Sequence, residues 1–178
     1  MQIAIVLFDR FTALDAVGPY ETLGRLPDAT TVFVAERSGP VRTDTGSLAL
    51  TADRTLAEVP APDLVVVPGG PGQTAQMDNP VLLDWLRAAD ATSTWTTSVC
   101  TGSLILAAAG LLRGRRATSH WLALDHLRRF GDEQAQAVQL LTEYDPQPPY
   151  DAGSPHKALA HLVERFRAGS RFSSTGSR

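Results

Sequence analysis

Ser98-Val99-Cys100-Thr101-Gly102 joins two runs of opposite character with no loop between them. Trp95 to Val99 is rich in β-branched residues and reads as a buried strand; Ser103 to Leu106 turns apolar and reads as a helix that starts at once. Between them lies the single cysteine of a 178-residue sequence. Small residues two before and two after Cys100 give the spacing of a nucleophile elbow. A sulfur at a helix N-terminus meets the positive end of the dipole and unpaired N–H groups. Both favour the thiolate, the form that attacks carbon. The same five residues also suit a small buried cysteine with no reactive role, and alone they do not choose between the two.

Three other places carry residues suited to chemistry. Asp15 stands near the start of a helical run, Leu14 to Leu26, just after the first strand, with Gly18-Pro19 in the first turn. In an open α/β sheet, groups at the carboxyl ends of strands face the ligand crevice, which places Asp15 to face the crevice that Cys100 also faces. An acid there also simply complements a helix N-terminus. Gly69 and Gly70, in Pro68-Gly69-Gly70-Pro71-Gly72, follow an apolar strand. Such a turn lets backbone N–H groups face an oxyanion, and it equally makes a plain tight turn. It has neither the Walker spacing nor the dinucleotide fingerprint. His120 sits at a second expected strand–helix junction, where an imidazole serves either as a base or as a hydrogen-bonded structural group.

The elements that must position these groups follow from hydrophobic pattern. Gln2 to Phe8 is an unbroken apolar run, as in a central parallel strand. Thr30 to Glu36 and Asp63 to Val67 are further strands, and Val41 to Leu50 reads as a hairpin around Asp44-Thr45-Gly46. Asn79 to Ala91 is a helix with Pro80 in its first turn. The helix after Cys100 is expected to run to Gly110. Ala117 to Trp121 reads as a short strand leading into a helix from Trp121 to Phe130. Glu133 to Glu143 is again helical where a doubly wound sheet should return with a strand. Tyr144 to Pro155 is a loop, His156 to Phe166 a helix, and Gly169 to Arg178 a tail. The expectation is one α/β domain over residues 1–168, with residues 169–178 flexible.

Bulk properties exclude several classes. Net charge is −3, with 16 basic and 19 acidic residues, so no electrostatic footprint for nucleic acid is present. No apolar run is long enough for a membrane span. The apolar N-terminal stretch is short and lacks a basic region before it, unlike a signal peptide. One cysteine cannot form an internal disulfide, which fits a reducing, cytoplasmic setting. No zinc-type spacing of Cys and His occurs, and nothing suggests a metal or an organic cofactor.

Taken together, Leu14-Asp15-Ala16-Val17-Gly18-Pro19-Tyr20, Val67-Pro68-Gly69-Gly70, Ser98 to Ser103 and Arg115 to Trp121 resemble the ThiJ/PfpI superfamily. The chain is most similar to its isonitrile hydratase branch, whose tail Glu143 to Pro155 also resembles. The resemblance implies a class I glutamine amidotransferase-like, flavodoxin-like three-layer α/β sandwich with a mostly parallel sheet. It implies Cys100 as nucleophile and Asp15 as its acid partner. Backbone N–H groups of Gly70 and Thr101 would hold developing negative charge, and the Thr101 hydroxyl would steady the site. A small-molecule substrate and a homodimer are implied too. Protease- and deglycase-like members often place histidine directly after the cysteine; Thr101 stands there instead. The resemblance also implies one late strand–helix unit, after Phe130, that this sequence lacks. Other readings stay open: glyoxalase- or deglycase-like chemistry on small dicarbonyls, a redox- or ligand-sensing protein, or an inactive shortened paralogue.

Overall fold

The computed structural model describes residues 1–123 and 155–168. The chain divides into two compact units, Met1–Arg113 and Gly114–Arg178. The first holds a five-stranded sheet of order β5-β2-β1-β6-β7, built from β1 (Gln2–Val6), β2 (Thr30–Ala35), β5 (Arg54–Thr55), β6 (Leu64–Val67) and β7 (Trp95–Ser98). Every pairing in this sheet is parallel. A separate antiparallel hairpin joins β3 (Gly39–Arg42) to β4 (Ala49–Ala52). The helices α1 (Ala13–Leu23), α2 (Gln73–Gln76), α3 (Pro80–Asp90) and α4 (Gly102–Ala108) flank the sheet. This is the expected α/β arrangement with a mostly parallel, flavodoxin-like sheet.

β1 and β6 are central, and their side chains from Ile3 to Val6 and Leu64 to Val67 are all buried. Burial on both faces explains why these strands read as continuous apolar runs rather than alternating ones. The chain builds outward from β1 to β2 on one side, then resumes with β6 on the other. Strand order therefore reverses between β1 and β6, and the connections that leave their carboxyl ends bound a crevice. Those two connections carry Asp15 and Gly69-Gly70.

β7 departs from the expectation of a buried strand. It ends the sheet among the described residues, its Trp95 is 62% exposed and Thr97 is exposed as well. Its β-branched residues serve strand geometry, and among the described residues its hydrogen-bonded neighbour is β6. α1 begins at Ala13, so Gly18-Pro19 falls in its middle and not in its first turn. Pro19 has no N–H to offer the carbonyl of Asp15 four residues back. α3 starts where the sequence places it: Asn79 caps it, Oδ1 accepting from the N–H groups of Val81 and Leu82 at 3.1 and 3.5 Å, with Pro80 as first helical residue. Trp85, Leu82 and Leu86 are buried beneath it.

In the second unit the strand expected over Ala117 to His120 is absent; those residues are irregular and lead into a 3₁₀ turn, Trp121–Ala123. A helix, α5 (Ala160–Ala168), replaces the expected one from His156, since residues 155–158 form turns and a bend. The helix continuing to Phe130, the helical run Glu133 to Glu143, most of the loop Tyr144 to Pro155 and the tail from Gly169 lie outside the described residues.

Candidate active site

The elbow is built as its small residues require. Cys100 sits at φ 53°, in the left-handed region, which costs an L-residue about 1–2 kcal/mol relative to the ordinary basins. Its turn is pinned by the Val99 N–H donating to the Val67 carbonyl at 3.0 Å and the Gly102 N–H donating to the Val99 carbonyl at 2.9 Å. Gly102 opens α4 directly against the end of β6: a Cβ there would lie 2.1 Å from the Val67 carbonyl oxygen. At Gly69 a Cβ would lie 2.6 Å from the Thr101 nitrogen and 2.9 Å from the Cys100 Cβ. The absence of a side chain is what lets the β6 loop touch the elbow.

Four groups are thereby joined. The Gly69 N–H donates to Asp15 Oδ2 at 3.0 Å, and the Gly70 N–H donates to Thr101 Oγ1 at 3.0 Å. The Thr101 hydroxyl and N–H in turn serve the Cys100 sulfur, and the sulfur is hydrogen-bonded to the Asp15 carboxyl group. The N–H groups of Gly69 and Gly70 thus hold the site's own side chains. The family resemblance implies a Gly70 N–H facing an oxyanion; here that N–H donates to Thr101 Oγ1. Thr101 is completely buried, although it stands at the N-cap of α4 and makes no side-chain cap bond.

The charge state also departs from the sequence reading. Burial pushes the Cys100 thiol up to about 11, and the Asp15 carboxylate beside it adds to the rise. The Thr101 N–H and hydroxyl pull the other way, as the helix-terminus argument predicts, but desolvation outweighs them. Burial thus works against the thiolate that the helix terminus favours. Asp15, 9% exposed, is raised above its ordinary 3.8 chiefly by burial, while the Gly69 N–H and Cys100 lower it and Asp44 raises it. The result is a buried S–H beside a buried base of raised proton affinity.

Asp44 was read from the sequence only as part of a hairpin turn. The turn reaches the β1–α1 connection: Thr43 bridges Phe11, the Asp44 N–H donates to the Phe11 carbonyl at 2.9 Å, and the Thr12 hydroxyl donates to Asp44 Oδ2 at 3.3 Å. No local signal marks this, because the pairing depends on how the hairpin folds back. Gln73, buried just after the glycine turn, donates its N–H to the Gly70 carbonyl at 3.0 Å. Its Oε1 finds no donor among the described residues. His120 belongs to the second unit, where its ring stacks on Trp121 at 5.7 Å and burial lowers its pKa. Among the described residues no group of three or more His, Cys, Asp or Glu could hold a metal ion, and no helix is long and apolar enough to cross a membrane. A cavity of about 440 Å³ opens at the carboxyl ends of β1 and β2, walled by Phe8, Arg37 and Val41 among others; Cys100 and Asp15 do not line it.

An α/β sheet that presents a cysteine on a strained strand–helix turn, opposite a buried acid, defines a class of cysteine-elbow proteins. The chain belongs to the DJ-1/PfpI family, whose pattern matches residues 1–142. It is 36% identical to isonitrile hydratase of Pseudomonas putida, over 94% of this chain and 89% of that protein. The aligned span is 203 residues against 178 here, so the relative holds residues that this chain lacks. A ThiJ/PfpI family protein from Pseudomonas syringae superposes with a TM-score of 0.79 at 33% identity, covering 94% of this chain and 84% of that one. Similarity extends to the HTH-type transcriptional regulator CdhR of Pseudomonas aeruginosa, 36% identical over 60% of this chain but only 31% of the regulator.

Proposed function

We propose that this protein adds water to an isonitrile and releases the N-substituted formamide. The observation that carries the reading is Cys100, on the left-handed turn between β7 and α4, held against the buried Asp15 carboxyl group. An isonitrile carbon must gain both a nucleophile and a proton, and a thiol paired with a base offers both from one side. Asp15 takes the thiol proton as the sulfur attacks the terminal carbon, then delivers that proton to the same carbon. The product is a thioimidate, R–N=CH–S–Cys100, formed with no proton lost. Water, deprotonated by Asp15, adds to this carbon while nitrogen takes up the proton. Collapse of the adduct breaks the C–S bond, returns a proton to sulfur and frees R–NH–CHO. Asp15 acts as base and acid in turn, the role suited to a carboxyl group whose pKa is moved toward the working range.

Thr101 keeps the sulfur oriented through its N–H and hydroxyl, and the Gly70 N–H fixes that hydroxyl as acceptor. The threonine at this place supports a hydratase-like reading over a Cys–His pairing with the neighbouring residue. The similarity to the Pseudomonas putida enzyme along nearly the whole of both chains supports the same reaction. The reading includes a cytoplasmic homodimer acting on a small molecule without metal or organic cofactor; light scattering on the purified chain tests the dimer.

The deciding experiment follows formamide production from a simple alkyl isonitrile by wild type and by Cys100→Ala. Cysteine-dependent turnover is expected. Equal turnover by folded Cys100→Ala would overturn the mechanism.

A further inference from the structure

We infer that Asp44 is a positioning residue of this reaction: the β3–β4 hairpin carries its carboxylate onto the segment that opens α1, and its charge acts through Asp15. The inference rests on Cys100 and Asp15 being the reacting pair. The hairpin is not a passive excursion. Beyond the contacts of Thr43 and Asp44 already described, the Arg10 N–H donates to the Arg42 carbonyl at 2.9 Å, and the Thr12 N–H donates to the Gly69 carbonyl at 2.9 Å. Two of the main-chain links from the hairpin fall on residues 10 and 11, and the Thr12 side chain adds a third. Thr12 therefore connects Asp44 to the same loop whose next N–H, that of Gly69, binds Asp15. Asp44 is held three residues from Asp15 along this connection, half-buried.

The groups that face Asp15 can be named from each side. The elbow presents Cys100, the β6 loop presents the uncharged Gly69 N–H, and the hairpin presents Asp44. Asp15 is the only acid in the first turn of α1, and β1 and β6 contribute no ionisable side chain. Asp9 and Arg10 on the same connection are exposed. Among the described residues, Asp44 is thus the charged group that opposes ionisation of Asp15 from outside the pair. A like charge makes the carboxylate a stronger base and brings it closer in proton affinity to the thiol it must deprotonate. The hairpin adds to the rise that burial gives Asp15, without touching the sulfur.

The test reads Asp15 itself. Its side-chain carboxyl carbon, assigned by the signal lost in Asp15→Asn, is titrated by ¹³C NMR in wild type, Asp44→Asn and Asp44→Glu. Asparagine keeps an acceptor for the Thr12 hydroxyl and removes only the charge; Asp44→Ser gives a second neutral variant should the turn reject asparagine. The midpoint of Asp15 is expected to move to lower pH in the neutral variants and to return in Asp44→Glu. The acid limb of isonitrile turnover should move with it. An unmoved midpoint in a folded neutral variant overturns the inference. Absence of turnover in every form, with the midpoint still moving, instead removes the proposed reaction and leaves the coupling of Asp44 to Asp15 standing.

Discussion

At the scale of single residues, the site is governed by desolvation. Cys100 and Asp15 are both pushed toward their neutral forms by burial, and this fixes the pH behaviour. Turnover needs Asp15 ionised to accept the thiol proton, so it rises with pH through the raised Asp15 value, above 3.8. It also needs the proton on sulfur, so it falls only as Cys100 titrates near 11. A broad plateau of kcat/KM between these limbs is expected. Alkylation by iodoacetamide should be slow at neutral pH and climb steeply above pH 10, because only thiolate reacts; rapid alkylation at pH 7, followed by mass spectrometry, would contradict the assigned thiol. The same shifts bear on stability. The folded state holds the Asp15 proton more tightly than the unfolded chain. Its contribution is therefore full below the unfolded value and is lost as pH rises through the raised folded one. Asp15→Asn is expected to raise the thermal midpoint at neutral pH and to remove this part of its pH dependence, while largely abolishing turnover. Calorimetry between pH 4 and pH 8 checks the sign.

At the scale of elements, the site depends on close approach. Gly102→Ala puts a methyl group into the Val67 carbonyl and should cost about 2–3 kcal/mol as an overpacked contact, read by urea denaturation. Asn79→Ala, at the cap of α3 and far from the elbow in sequence, should cost about 1 kcal/mol and leave cysteine chemistry unchanged. What was legible in the sequence divides along a physical line. Central strands, the capped α3 and the elbow were legible because each is written in contiguous residues: an apolar run, an Asn-Pro start, small residues around a cysteine. The Asp15–Cys100 pairing came from family resemblance, since residues 85 apart carry no mutual signal of their own. The helix terminus beside Cys100 is visible in sequence, whereas the burial that pushes its thiol up is not. β7 was mistaken for a buried strand because β-branched residues report strand geometry and not which strand has neighbours. Asp44 was missed for a related reason: its D-T-G turn declares a hairpin but not where the hairpin lands.

At the scale of the whole molecule, the chain is a DJ-1/PfpI family member shorter than the span over which it matches a hydratase of that family. Its sheet ends at β7 among the described residues, with Trp95 exposed on that strand. Among the described residues, the groups shown to converge on Cys100, namely Asp15, Gly69, Gly70 and Thr101, lie in the first unit, Met1–Arg113. The proposed chemistry accordingly predicts turnover by the full chain despite the residues it lacks. A cooperative thermal transition accompanied by cysteine-dependent formamide release is the expected outcome. A chain that unfolds without a transition would point to a copy that has lost its function.

The left-handed backbone at Cys100 bears on that last distinction. Glycine is the one residue that occupies this conformation without penalty, and Cys100→Gly should be more stable than Cys100→Ala by about 1 kcal/mol. A cysteine codon becomes a glycine codon by one nucleotide change. The elbow therefore lies a single mutation from relief, and a lineage with no use for the sulfur has a short downhill path away from it.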